Sequence, residues 1–236
     1  MRDTLLNQIS KISHECEVLT SIDSGEESSG IKRQRLITAA SGQYVAFLDD
    51  DDTVNDDYCK LICEAAVQFP DVVCFNMRMT HQFDRYGKKK IRQETWRLGL
   101  WEDNRKKGMM AANHLCAWKK LIAEKVSWCP ELGYGDDQLW YGPLHASGIA
   151  KTSVFVPQIL YEYKFSRSTT ANQTDARIAA SRYYFGPGLR CFNVDEEILV
   201  EDGHQARELI QCRNSKNDFV SISVSEREAF HTVVLR

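Results

Sequence analysis

Five residues suited to a buried strand, Tyr44-Val45-Ala46-Phe47-Leu48, run without a break into four aspartates, Asp49 to Asp52. A short, continuously apolar run of this kind fits a strand covered on both faces, as in a parallel sheet. The aspartates that follow pose an electrostatic problem, because two carboxylates about 5 Å apart repel by roughly 3 kcal/mol at an effective dielectric near 20. Two readings answer it. The run is a solvated acidic turn capping a helix that begins near Asp56, or it gathers a divalent cation with oxygen ligands, Mn²⁺ or Mg²⁺. Alternate residues of an extended segment point to one side, so Asp49 and Asp51 can share a task.

The flanking segments set this run in a frame. Leu5, Leu6, Ile9 and Ile12 repeat at helical spacing and predict a helix over the first dozen residues. CEVLTSI at 16–22 reads as a strand, DSGEESSG at 23–30 as a polar loop, and Ile31 to Ala40 as a helix stopped by Gly42. A helix with Tyr58, Leu61, Ile62, Ala65, Ala66 and Phe69 on one side runs to Pro70, and a strand follows over 71–79. This alternation predicts an α/β fold with a mostly parallel sheet, right-handed crossovers and flanking helices. Ligands bind beyond the carboxyl ends of such strands, where both polar clusters fall.

Farther along, RYGKK at 85–89 reads as a hairpin turn and residues 90–112 as a long, polar, functional loop. NHLCAW at 113–118 leads to a short helix ending near Lys125, and GYGDDQLW at 133–140 leads into a helix interrupted at Gly142-Pro143. Strands are expected at 151–156 and 160–165. From Gly186 the chain turns into short strand-like pieces separated by polar turns. The expected division is a main domain over 1–185 and a small β-rich appendage over 186–236.

Composition narrows the partners. The formal net charge of -3 gives no reason to expect nucleic acid or an anionic membrane. No apolar run reaches the roughly 18–20 residues of a membrane span. The first residues lack the apolar stretch of a signal peptide, so a cytoplasmic location is expected. Eight cysteines occur without a CxxC pair, which favours buried thiols acting as small hydrophobes over zinc or disulfides.

SSGIKRQRLITAASGQYVAFLDDDD resembles the central block of family 2 glycosyltransferases of the GT-A fold. Gly30, Arg35, Ala40, Gly42, Tyr44, Phe47, Leu48, Asp49 and Asp51 match that block in order and spacing, and SIDSGE upstream is similar to its nucleotide-binding loop. The resemblance implies transfer of a sugar from a nucleotide-diphosphate sugar to a hydroxyl acceptor such as a saccharide, with inversion and a Mn²⁺ or Mg²⁺ cofactor. It implies donor binding by Asp23, Gly25, Gly30, Arg35, Asp49 and Asp50, and metal binding by Asp51 with Asp52 in support. Lys32 and Arg33, beside Arg35, are alternatives for the positive charge near the phosphates, and a solvated helix face is the bland reading of all three.

GYGDDQLW resembles the family's second acidic motif, with Asp137 in the place of the catalytic base and Asp136 replacing a glutamate. Helix capping is the competing reading, and Glu102-Asp103 is a rival base. His114 in AANHLCAW is either a metal or phosphate ligand or a packed histidine; His145 is a weaker metal candidate. Trp96, Trp101 and Trp140 either stack on a sugar or pack the core. Lys164 and Arg167, in a segment similar to the one that closes the family's domain, are candidates for touching the diphosphate.

One departure stands out. The family's domain normally opens with a buried strand that has no counterpart here, which predicts an exposed sheet edge. It also keeps alive a non-catalytic nucleotide-sugar or glycan-binding remnant of the same fold. Nucleotidyl transfer, which also uses paired aspartates, is a further rival. A P-loop enzyme is disfavoured by the lack of its glycine-rich, Lys-bearing loop.

Overall fold

A computed structural model describes residues 1–24, 26–85, 88–101, 104–130, 135–166 and 229–235. Its centre is β2 (Tyr44–Asp49), whose first five residues are buried, as a strand covered on both faces requires. Before it come α1 (Arg2–Ile9), β1 (Cys16–Ile22) and α2 (Ser29–Ala39). After it come β3 (Thr53–Val54), α3 (Tyr58–Ala66), β4 (Val72–Arg85), β5 (Lys88–Gly99), β6 (Met109–Ala111), β7 (Ala117–Lys119) and α4 (Lys120–Ala123). The remaining elements are α5 (Asp136–Ser147), β8 (Ser153–Ser166) and β9 (Ala229–Leu235).

Among the described residues nine strands form one curled sheet in the order β1-β9-β2-β7-β4-β5-β6, with β8 along β4 and β3 on β8. The expectation of a mostly parallel sheet is corrected. Only β4–β8 and β5–β6 pair in parallel. The crossovers through α2 and α3 do leave β1, β2 and β4 pointing the same way, but an antiparallel strand separates each pair. β9 lies between β1 and β2, and β7 between β2 and β4.

The place of β9 bears directly on the expected open edge. Its register runs from Cys16↔Leu235 to Ile22↔Ala229 on one side, and from Tyr44↔Leu235 to Asp49↔Phe230 on the other. The last piece of the expected appendage is thus a strand of the main sheet, while residues 186–228 lie outside the described residues.

Three local expectations also change. Residues 90–112 are not one long loop, because β5 runs to Gly99 and β6 takes Met109–Ala111. β5 forms a long hairpin with β4, from Asn76↔Arg97 to Arg85↔Lys88, and buries Trp96 and Leu98 at alternate positions. α5 is not interrupted at Gly142-Pro143. Trp140 and Leu144, buried on either side of the proline, hold the helix together until Gly148 ends it in a left-handed conformation, with φ 58°. The two strands expected at 151–156 and 160–165 are one strand, β8, irregular opposite Phe75 to Met77. Pro157 falls in that stretch, where it has no N–H to give the ladder, and its carbonyl accepts from Asn76 Nδ2 at 2.6 Å.

The strand ends set up the site. Ser21 and Asp49 both pair with Phe230 of β9, so the turns after β1 and β2 share one edge of the sheet. That is the edge the strand-and-helix pattern predicts for ligands.

Candidate active site

The site is built on α2. Ser28 caps this helix by accepting from Ile31 N at 3.3 Å, and its hydroxyl donates to the Pro130 carbonyl at 2.6 Å. Gly30 is required by contact: a β-carbon there would collide with the carbonyl of Cys129. Trp128 N donates to Gln34 Oε1 at 2.9 Å, so two turns of α2 lie against residues 128–130.

This docking fixes Arg33, which is buried. Its Nη2 donates to Asp49 Oδ1 and its Nη1 to Asp136 Oδ2, both at 2.7 Å. Ser29 Oγ donates to the same Asp136 oxygen at 2.9 Å. The guanidinium lies 5.0 Å from the ring centroid of Trp128, which stacks on Trp140 with centroids 4.8 Å apart. Phe47 meets both indoles edge-on, closing an aromatic floor beneath the charges.

His114 supplies the second bridge. The Asn113 carbonyl accepts from Trp118 Nε1 at 2.8 Å and the His114 carbonyl from Phe47 N at 3.1 Å, so its backbone is tied to β2. The ring Nε2 stands 3.5 Å from Asp49 Oδ2, and Nδ1 stands 3.5 Å from Asp137 Oδ2. Burial and the Arg33 charge oppose protonation of His114, but the two carboxylates outweigh them and raise its pKa to about 9. Burial opposes ionisation of Asp49 and Asp137 too, and Arg33 and His114 more than offset it, holding both carboxyls below their usual range. Three carboxylates and two cations therefore form one connected network. It spans the end of β2 and the start of α5.

The other sequence candidates divide. Asp23 is buried, ion-paired with Lys32, and accepts from Glu27 N at 2.8 Å. Gly25 lies outside the described residues. Arg35 points away from the network, and its two terminal nitrogens bind Glu27 at 2.8 and 2.6 Å. Asp50 is half-buried and Asp51 exposed. Asp52 is buried, accepting from Tyr161 OH and from the Lys164 backbone N, both at 2.7 Å. Burial raises its pKa to about 7 against these bonds. Lys164 thus reaches the acidic turn through its backbone.

Among the remaining candidates, His145 Nε2 lies 2.7 Å from the Ala112 carbonyl, with the ring against Trp118 and Tyr141. Trp96 and Trp140 are buried, and Trp101 packs under Arg97. Glu102, Asp103 and Arg167 lie outside the described residues.

Arg33 is the residue that sequence reasoning undervalued. The signal was present: Arg33 shares its helical stripe with Leu36 and Ile37, both buried, and an arginine on a core stripe needs buried carboxylate partners. Ser29, Trp128 and Tyr161 carried no comparable sign.

The residues can be tested against the divalent cation implied by the resemblance. Among the described residues no three His, Cys, Asp or Glu side chains are grouped to hold a metal ion. Asp52 spends both oxygens on β8, and His114 is a cation between two carboxylates, so neither fits as a ligand. Asp51, exposed and two residues past Asp49, does fit a cation of the Mg²⁺ type, which takes one or two carboxylates and draws its other ligands from substrate phosphates and water.

The family described as glycosyl transferase family 2 matches residues 4–127, just over half of the chain. The chain belongs to this glycosyltransferase family. Binding of a nucleotide-sugar donor and an acceptor is what the family generally implies. The match takes in α2, the acidic turn and His114, and stops short of Asp136 and Asp137, which reach the site through their contacts with Arg33 and His114. No curated protein and no solved structure matches the chain. Among the described residues no helix is long and apolar enough to cross a membrane.

Proposed function

We propose that this family 2 glycosyltransferase is an inverting enzyme in which Asp137 is the general base and the edge from Asp49 to Asp51 receives the donor diphosphate. The observation that carries this reading is the shared network. Arg33 and His114 each hold Asp49 with one arm and the Asp136-Asp137 pair with the other. A base for the acceptor hydroxyl is thereby fixed beside the group expected at the donor.

In a single displacement the acceptor oxygen attacks the anomeric carbon, its proton passes to Asp137, and the nucleoside diphosphate leaves from the opposite face. Asp137 is ionised at neutral pH, as a base must be before transfer. Arg33 keeps the imidazolium and the carboxylates in one arrangement, and the aromatic floor keeps water from beneath them. A divalent cation held by Asp51, with its other ligands drawn from substrate phosphates and water, would act as a Lewis acid on the leaving phosphate. The remnant reading drew its support from a missing strand that would leave a sheet edge open, and β9 pairs with both β1 and β2.

The test is turnover with UDP-, GDP- and dTDP-sugars in the presence of Mn²⁺, followed by release of nucleoside diphosphate and by NMR of the product anomer. Asp137→Asn should lower kcat by about 10²–10⁴-fold with donor binding intact. Full turnover in that variant would remove Asp137 as the base, and a retained anomer would remove the inverting mechanism. Failure of the folded wild type to bind any of the three nucleotides would remove the donor site.

A further inference from the structure

Cys16 is the first residue of β1 and Cys63 lies in α3, 47 positions later, yet their sulfur atoms approach to 3.3 Å. A disulfide holds its sulfurs about 2.05 Å apart, so a small approach closes the bond. The two thiols differ in access. Cys63 is buried, as are Cys59, Cys74, Cys116 and Cys129, whereas Cys16 alone among the described cysteines is half-buried. Among the described cysteines only Cys16 is open to a reagent from solvent, and the thiol it touches cannot be reached directly. One sulfur able to attack and a second waiting against it make up an exchange pair.

We propose that Cys16 and Cys63 form a thiol–disulfide exchange site for low-molecular-weight disulfides, with Cys16 attacking and Cys63 resolving. Cys16 attacks one sulfur of the small disulfide as a thiolate, forming a mixed disulfide and expelling one small thiolate. Cys63 then gives up its proton and attacks the Cys16 sulfur, forming the Cys16–Cys63 bond and expelling the second small thiol. Two protein thiols are oxidised by two electrons, and one small disulfide is reduced to two thiols.

The electrostatics assist this order. A hydrogen bond from the Cys63 thiol outweighs burial and lowers the Cys16 pKa, while the same contact together with burial raises Cys63. The attacking sulfur thus has the greater thiolate share. Glu15 and Glu17 flank Cys16, so an uncharged disulfide approaches it more readily than an anionic one. The closed bond would staple the start of β1 to the helix that follows the acidic turn.

The experiment treats the full chain with 2-hydroxyethyl disulfide, an uncharged probe, and maps cysteine peptides without reduction by mass spectrometry. The wild type should yield a linked Cys16–Cys63 peptide and release two equivalents of 2-mercaptoethanol. Cys63→Ser should stop at a stable mercaptoethanol adduct on Cys16, and Cys16→Ser should leave Cys63 unmodified; circular dichroism checks that each variant is folded. Three wild-type results would overturn the site: no reaction at Cys16, an adduct on Cys16 beside a free Cys63, or a bond from Cys16 to another cysteine. The wild-type map decides the matter even if a variant fails to fold.

Discussion

Arg33 and Asp136 stand 103 positions apart in the chain and meet in a buried ion pair 2.7 Å long. The same guanidinium reaches Asp49, so one side chain on α2 joins the end of β2 to the start of α5. A buried charge of this kind is tolerable only with its partners in place, which makes it a sensitive probe of the site.

Replacing Arg33 with Met should cost about 3–5 kcal/mol of stability, because it strands Asp49 and Asp136 without their common cation. Arg33→Lys should fall between, since an ammonium is a point charge and cannot span two carboxylates as a guanidinium does. Arg35→Ala breaks a pair with Glu27 whose side chains are 20% and 22% exposed, and should cost about 0.2–1 kcal/mol. Urea unfolding of the three variants decides between the two arginines. Equal losses would mean that the Arg33 network does not form in solution.

Arg35 and Arg33 also show where sequence reading was sound and where it was not. The order of β1, α2, β2 and α3 was legible because each carries its own period: CEVLTSI coincides with β1, and α2 starts two residues before its predicted first residue. Which arginine faces the site was not, because two positions along a helix turn the side chain through about 200°. The hairpin of β4 and β5 was hidden by charge. Lys88, Lys89, Lys90, Arg92 and Glu94 masked the alternation that survives at Trp96 and Leu98. β9 was out of reach for another reason, since nothing local in AFHTVVL says that its partners are Cys16–Ile22 and Tyr44–Asp49.

Asp51 and Asp52 are adjacent in sequence and should behave differently. Asp51→Asn removes the exposed carboxylate suited to a cation and should weaken Mn²⁺-dependent nucleotide binding at least tenfold, measured by calorimetry. Asp52→Asn keeps an acceptor for the Lys164 N–H and should leave that binding nearly unchanged. Its effect should appear in stability. A carboxyl whose folded pKa is about 7 favours the folded state in its protonated form, and this contribution is lost as pH rises from the ordinary value of 3.8 through about 7. Asp52→Asn should therefore flatten the fall in stability over that range. Loss of metal-dependent binding in Asp52→Asn, with Asp51→Asn unaffected, would reverse the assignment.

The His114 bridge predicts a second slope at higher pH. Its folded pKa of about 9 lies above the ordinary 6.5, so its contribution is complete below pH 6.5 and is lost as pH rises through 9. Unfolding free energies measured from pH 6 to 10 should decline over that window in the wild type. His114→Gln should lack this decline while starting from a lower value. An unchanged slope in the variant would show that the imidazole is not held as a cation between Asp49 and Asp137.

β9 gives the broadest prediction, because it is bonded on both edges. Val233 pairs with Val18 on one side and Ala46 on the other, in the middle of both ladders. Proline there removes a backbone donor and leaves a carbonyl of β1 or β2 without its partner, at a cost of about 1–3 kcal/mol before any clash of the ring. Val233→Ala keeps the backbone pairing and should be milder. Deleting residues 229–236 should go further, exposing the edges of β1 and β2 and promoting self-association. Circular dichroism, urea unfolding and size-exclusion chromatography read all three variants. If the deletion elutes in the same oligomeric state as the wild type, with an unchanged midpoint and denaturant slope, β9 does not lie between β1 and β2 in solution, and the sheet is open there. If the proline and the deletion both collapse the fold while alanine does not, the strand is integral, and the edge that carries Asp49 depends on it through the Asp49↔Phe230 pairing.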